Sequence, residues 1–179
     1  MSSSALIAPT IVTPRLRLRR HEVDDYEASA TMWADEIVVR HIGGRPSTRP
    51  QAWARILSYA GLWAMLGFGY WAIEERSTGT FVGEVGFADF KREIMQSMRD
   101  VPEAGWALVP SAHGKGYATE AVGAAIAWGD ANLASARTVC MIDPENAASI
   151  RVAQKCGFAQ FESASYNDQP ALFFERLRD

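Results

Sequence analysis

The residues best placed to do chemistry form the run His113-Gly114-Lys115-Gly116-Tyr117-Ala118-Thr119-Glu120, a glycine-rich turn that leads straight into a helix-forming segment. Glycines at 114 and 116 let the backbone turn tightly and let a ligand approach without meeting a Cβ, while the first free N–H groups of the helix and its dipole face that ligand. This makes an anion site, and the anion it suits is a phosphate. Two phosphate-binding patterns can be tested by spacing. A Walker loop needs a glycine five positions before Gly114 and a Ser or Thr after the lysine, where this chain has Val109 and Gly116. The dinucleotide fingerprint needs a third glycine three positions after Gly116, where Thr119 stands, and it follows the first strand of a domain, not a turn two thirds along the chain. The spacing argues against an ATPase or GTPase and against a nicotinamide enzyme.

Such a turn must be carried by a strand before it and a helix after it. Glu103 to Leu108 reads as the strand, and Tyr117, Ala121, Ala124, Ala125 and Trp128 recur at helical spacing, giving a helix from Gly116 to Asn132. Upstream, Arg15 to Arg19 alternates arginine and leucine with the period of a strand. Asp24 and Asp25 open a helix running to about Trp33. The segment from about Gln51 to Leu66 places Trp53, Ile56, Leu57, Ala60 and Trp63 at helical spacing; the stripe packs on the sheet or lines an acceptor pocket. Tyr70–Glu74 and Phe81–Phe87, separated by Arg76-Ser77-Thr78-Gly79, have the grammar of a hairpin. Thr138–Ile142 reads as a strand, Asn146–Lys155 as a helix stopped by Gly157, and Phe158–Tyr166 with Ala171–Arg178 as a closing hairpin. The fold class expected is α/β (α+β): a mixed, largely antiparallel central sheet flanked by helices, in one domain spanning 1–179 with residues 1–10 loose.

Composition narrows the function classes. With 179 residues, 48% of them apolar, the chain can bury a full core. A net charge of −3 forecasts no nucleic-acid footprint. No stretch approaches the ~20 unbroken apolar residues of a membrane span, and Pro9 interrupts the short apolar start, so the expected location is the cytoplasm, with no membrane partner. Cys140 and Cys156 match no metal spacing and read as small core residues, and the three histidines, His21, His41 and His113, are scattered, so the reaction is read as metal-free.

Together these residues resemble the GNAT superfamily of acetyl-CoA-dependent N-acetyltransferases, in particular its RimJ and RimL ribosomal-protein acetyltransferase branch. The resemblance runs through Thr13-Pro14-Arg15-Leu16-Arg17-Leu18-Arg19, Gly83-Glu84-Val85-Gly86-Phe87, the Glu103-Ala104-Gly105-Trp106-Ala107-Leu108 strand, the glycine turn, and the block from Pro144-Glu145-Asn146 to Gly157-Phe158. It implies that acetyl-CoA is the co-substrate and that the turn holds its pyrophosphate through His113, Gly114, Lys115, Gly116, Tyr117, Ala118 and Thr119. Gly116 and Ala118 match the family's turn; His113 replaces its usual Gln or Arg. Leu108 and Val109 would offer backbone N–H groups to the thioester carbonyl. Asn146, able both to donate and to accept, suits the peptide-like pantetheine arm, and its other role is helix N-cap.

The implied reaction is direct acetyl transfer to a primary amine, on a peptide N-terminus or a small molecule, without a covalent enzyme intermediate. Glu103 is the expected general base by its position in the family, with Glu84 in reserve. The family's usual tyrosine acid is absent, its place being taken by Ala153, and Ser149 is the expected donor to the leaving sulfur. A homodimer is compatible with this reading. The alternative is a CoA-binding regulatory or interaction domain without turnover. The segment Arg40–Pro50 and the loop Lys91–Val101 are expected to flank the acceptor pocket.

Overall fold

Alternation of buried Leu16 and Leu18 with the more exposed Arg17 and Arg19 makes a strand with one apolar face, and the same logic runs through the sheet. A computed structural model of the chain describes residues 7–92 and 98–178. Eight strands, β1 (Ile11–Val12), β2 (Leu16–Arg19), β3 (Tyr70–Glu75), β4 (Thr80–Ala88), β5 (Glu103–Leu108), β6 (Arg137–Ile142), β7 (Ala159–Tyr166) and β8 (Gln169–Leu177), form one sheet in the order β1-β2-β3-β4-β5-β6-β8-β7. All neighbours are antiparallel except β5 and β6. That parallel pair needs a crossover, supplied by helix α4 (Tyr117–Asn132).

Helices α1 (Tyr26–Ala34), α2 (Glu36–Val39) and α3 (Arg49–Leu66) precede β3, and α5 (Ala147–Lys155) follows β6. Trp71, Ile73, Val85 and Phe87 pack with Tyr117, Ala121, Val122 and Ala125 of α4 in the main core. The alternate residues of β3 and β4 turn to the other face, where Tyr59 of α3 joins Tyr70 and Ala88 in a separate cluster. The sheet is thus a partition with α4 on one side and α1–α3 on the other.

The mixed, largely antiparallel architecture is as expected, with three local corrections. The buried stripe of α3 is Ala52, Ile56, Tyr59 and Trp63; Leu57 is 54% exposed and Ala60 is exposed, because both fall off the i, i+4, i+7, i+11 line facing the sheet. The first turn of α1 is not capped by Asp25, whose carboxylate accepts instead from Arg19 (2.7 and 2.8 Å) and from the Glu22 N–H (2.8 Å). Of the segment expected to be loose, residues 1–6 lie outside the described residues, while Ala8 is buried and the Pro9 carbonyl accepts from Trp71 Nε1 at 2.8 Å. The four-residue α2 and the two-residue β1 carried no periodic signal.

Candidate active site

Between β5 and α4 the chain passes through a short 3-10 turn, Pro110–Ala112, to His113. Gly114 (φ 73°) and Gly116 (φ 78°) then adopt the left-handed conformation that aims the following amides outward. Gly116 is the N-cap of α4 and supplies no side-chain cap; Glu120 N–H is the first to reach a carbonyl within the helix, that of Gly116 at 3.1 Å. The amides of Tyr117, Ala118 and Thr119 are therefore left for a ligand. Nothing lies within 4 Å of where a Cβ of Gly114 would stand, so the turn has the open cradle a pyrophosphate requires.

The turn is moored from behind. One Glu120 oxygen accepts from Thr13 Oγ1 (2.6 Å) and the Arg15 N–H (2.9 Å), the other from Arg15 Nε (2.7 Å), and Arg15 Nη1 donates to the Lys115 carbonyl (2.7 Å). Tyr117 is buried, its hydroxyl bonded to Glu75. The His113 ring folds back on β5, with Nε2 2.9 Å from the Leu108 carbonyl, while Lys115 is exposed, its ammonium 5.8 Å from the centre of the Tyr117 ring.

Below the turn the sheet splits. β5 and β6 share one register pair, Glu103 opposite Val139, whereas β5 is paired with β4 along its whole length. Val109 N–H donates to the Val82 carbonyl on the β4 side (3.0 Å), and Val139 N–H to the Pro102 carbonyl (3.1 Å). Because backbone groups alternate in direction along a strand, the N–H groups of Trp106 and Leu108 turn toward β6, where the strands have parted. Leu108 is thus the strand-end residue with an amide facing the cleft, and the Val109 amide is engaged with β4. Across the opening, Asn146 caps α5, its Oδ1 accepting the Ser149 N–H at 3.0 Å, which leaves its Nδ2 without a partner among the described residues. Ser149 Oγ is likewise unbonded among them, and the two side chains stand one turn apart at the start of α5.

The opposite face of β5 presents Glu103, Gly105 and Ala107. Glu103 is held by Arg92 in a two-point pair (Nε to Oε2 2.7 Å, Nη2 to Oε1 3.0 Å), and Arg92 Nη1 donates to the Tyr166 hydroxyl (2.9 Å). One lone pair on each Glu103 oxygen is so occupied, leaving the others for water. At Gly105 a Cβ would come within 2.1 Å of Tyr70 Oη, so the absence of a side chain there lets the Tyr70 ring lie against the strand. Burial, with Glu103 nearby, pushes the Tyr70 phenol well up, so it stays an O–H donor at ordinary pH.

Glu84 of β4 is fully buried, and the elements around it close on it: Ser29 Oγ donates to Oε1 (2.7 Å), and Trp33 Nε1 (3.0 Å) and Tyr59 Oη (2.9 Å) donate to Oε2. His21 Nε2 stands 3.5 Å from Oε1 without hydrogen-bond geometry, so its contribution is electrostatic. Burial pushes the Glu84 carboxyl up, but the facing donors and His21 outweigh it and hold the group below the usual carboxylate range. A carboxylate sealed from solvent and already serving three donors fastens α1 and α3 to the sheet.

Sequence reasoning placed the turn, Asn146, Ser149 and Glu103 around one cleft; in the structure Glu103 opens β5, the turn follows the other end of that strand, and Asn146 and Ser149 begin the helix after β6. It missed Arg92, Tyr70, Tyr59 and Trp33, none of which stands in a spaced motif. Of the loop expected to flank the acceptor, residues 93–97 lie outside the described residues; Lys91 pairs with Asp89 and Asp100, both at 2.7 Å. His41, in the other flanking segment, has Nδ1 2.9 Å from Asp143 Oδ2, just beyond β6. A cavity of about 710 Å³ lies elsewhere, lined by Trp63, Trp128, Asp89 and Asp100 among others, at the far end of α4. At ~1.5 Å per helical residue this is roughly 20 Å from the turn, too far to serve the cleft. Among the described residues no three His, Cys, Asp or Glu side chains gather to hold a metal, and no helix is long and apolar enough to cross a membrane.

Residues 15–159 match the acetyltransferase (GNAT) domain, and the chain belongs to that family of acyltransferase enzymes. It is 28% identical over 151 residues to the uncharacterized N-acetyltransferase YoaA of Bacillus subtilis, spanning 84% of this chain and 82% of the relative. The crystal structure of an acetyltransferase from Agrobacterium tumefaciens superposes with a TM-score of 0.81 at 27% identity, covering 96% of this chain and 95% of that one. The fold is also that of RimL, the ribosomal L7/L12 α-N-protein acetyltransferase solved with coenzyme A, with a TM-score of 0.77 at 16% identity and coverage of 96% and 99%.

Proposed function

We propose that the chain is a single-domain N-acetyltransferase of RimJ/RimL-like type, working in the cytoplasm, that carries the acetyl group of acetyl-CoA directly to a primary amine. The observation that carries this reading is the parting of β5 from β6 after one register pair, directly beneath a helix start whose amides have no internal partner. Bound acetyl-CoA supplies an acyl thioester whose C–S bond is exchanged for a C–N bond to the amine. The chain's own residues do the rest. The turn from His113 to Thr119 holds the pyrophosphate through its amides, with Lys115 an outer point charge. The amides of Trp106 and Leu108 and the Nδ2 of Asn146 suit the peptide-like arm; Val109 contributes contact, its amide being engaged elsewhere.

Glu103 takes one proton from the acceptor ammonium through water, since its free lone pairs point away from Arg92. The second proton, lost by the nitrogen as the amide forms, passes to the departing sulfur with Ser149 Oγ as the relay that gives one proton and regains another. Holding amine and thioester in line supplies the larger part of the rate, up to ~7–11 kcal/mol in ideal cases. Thermal unfolding with acetyl-CoA, ATP and NAD tests the donor. At a hundredfold excess over Kd, acetyl-CoA alone should add ~2.7 kcal/mol of stability, and an amine screen should then release free CoA. No shift with acetyl-CoA, or a shift with ATP instead, would sink the reading.

A further inference from the structure

The face of the sheet that carries Glu103 also carries a guanidinium with no hydrogen-bonded carboxylate among the described residues. Arg55 projects from α3 one turn before Tyr59, with its guanidinium carbon 3.8 Å above the ring of Trp33. Its neighbours in charge are otherwise matched: Arg92 with Glu103, Arg17 and Arg19 with Glu74, Arg19 also with Asp25, and Arg49 with Glu27. Arg55 has no carboxylate within ion-pairing distance among the described residues, and its Nε is buried without a hydrogen-bond partner. A buried donor left unmade costs about 1–3 kcal/mol, more when charged. Such a cost is commonly borne where a ligand completes the contact.

The surroundings say which ligand. Trp33, pinned to Glu84 through its indole N–H, packs against Ala107 of β5. The next residue along that face is Gly105, covered by Tyr70, and the next is Glu103. Arg55 therefore overhangs the face of β5 along which the strand leaves β6, on the same side as Glu103. Burial pushes the phenols of both Tyr59 and Tyr70 up while Arg55 pulls them down, which places the guanidinium close to both rings. The Tyr70 hydroxyl donates to no described residue, so it is a second open donor beside the first. Glu84 has its oxygens taken by Ser29, Trp33 and Tyr59, and Glu103 is paired with Arg92, so neither carboxylate of the wall stands in ion-pairing contact with Arg55 among the described residues. A guanidinium held flat by an indole presents its fork to a planar anion, and the group that fits that fork in two-point fashion is a carboxylate.

We infer that the acceptor is an amine that also carries a carboxylate, and that Arg55, assisted by the Tyr70 hydroxyl, binds that carboxylate and turns the amine toward Glu103. This rests on the acetyltransferase reading above and specifies its substrate class. Two sources share this chemistry: a free amino acid, and a peptide whose first residue is Asp or Glu.

The test compares L-alanine, L-aspartate and L-glutamate with their carboxamides, together with C-terminally amidated dipeptides beginning with Glu or Ala. CoA release is followed in each case, and each compound is titrated calorimetrically into protein loaded with desacetyl CoA. Acids should exceed their amides at least tenfold in kcat/KM and in affinity. Arg55→Gln should raise the acceptor KM at least tenfold while acetyl-CoA affinity stays within twofold, and Arg55→Lys, which keeps the charge but loses the fork, should fall between. Free acids alone would point to an amino acid; the Glu dipeptide amide alone would point to an acidic N-terminus. Equal use of acids and amides overturns the inference, as does no use of any acid by protein that acetyl-CoA does stabilise; the acetyltransferase reading survives both. Failure to bind acetyl-CoA overturns both together. If Arg55→Gln does not fold, the acid-to-amide ratio in the native protein and the Arg55→Lys variant decide.

Discussion

The two faces of β5 are furnished by different means. Toward α4 and α5 the cleft is lined with backbone: the amides after Gly116, those of Trp106 and Leu108, and one side-chain amide that also caps a helix. Toward α1–α3 it is lined with side chains already bonded to one another, Glu84 with Ser29, Trp33 and Tyr59, and Arg92 with Glu103 and Tyr166. A backbone site depends on conformation and tolerates many sequences, provided glycine stands where φ is positive. A side-chain site depends on which residues meet, and one substitution rewrites it. The first suits a donor used unchanged across a family, the second an acceptor that varies within it.

The sharpest way to break the comparison is at Glu84. Glu84→Ala would leave three donors, those of Ser29, Trp33 and Tyr59, facing an empty buried space, and should cost about 3–5 kcal/mol of stability, the range for removing one partner of a buried charged set. Chemical denaturation measures it; a loss under about 1 kcal/mol would show that the knot is incidental. On the backbone side, Gly116→Val forces a β-branched residue to φ 78° with its Cβ 3.4 Å from the Arg15 guanidinium. Acetyl-CoA affinity should fall roughly a hundredfold, ~2.7 kcal/mol, and unchanged affinity in a titration would contradict the proposed cofactor site.

Acid should separate the two faces more gently. The Glu84 carboxyl is held below its ordinary value of 4.5, so the folded state binds its proton less readily than the unfolded chain. Its contribution is complete above that ordinary value and is lost as pH falls through the lowered one. Thermal midpoints from pH 7 to pH 3 should drop less steeply in Glu84→Gln than in the native protein; parallel curves would remove Glu84 from the acid response. The smallest effect is expected at Ser149. A thiolate leaves tolerably well unaided, so Ser149→Ala should slow turnover about threefold, ~0.6 kcal/mol, and full activity at saturating substrate would end its role as acid.

The same division explains what could be read from the chain. The turn was legible because Gly114, Gly116 and the small-residue helix after them are contiguous, and local conformation decides their geometry. The strand of alternating arginine and leucine and the closing hairpin were legible for the same reason. Glu84 was not, since its donors come from Ser29, Trp33 and Tyr59, 25 to 55 residues away, and their meeting is a product of how α1 and α3 cross the sheet. The Arg92 clamp on Glu103 was hidden as well, for an arginine in a polar loop announces nothing about its partner. Leu57 was misassigned because a helix facing a twisted sheet buries a narrower line than its hydrophobic residues suggest.

One contact ties this division to the order of the chain. Glu120, at the head of the helix that opens the cleft, is fastened to Thr13 and Arg15, more than a hundred residues earlier. The turn between β1 and β2 is thus the anchor for a turn made much later in the chain, and the proposed donor site is not set until both ends of that tether exist. Two fragments divided at the β3–β4 turn would each carry half of it, so recovery of acetyl-CoA binding on mixing them would report the tether's closure.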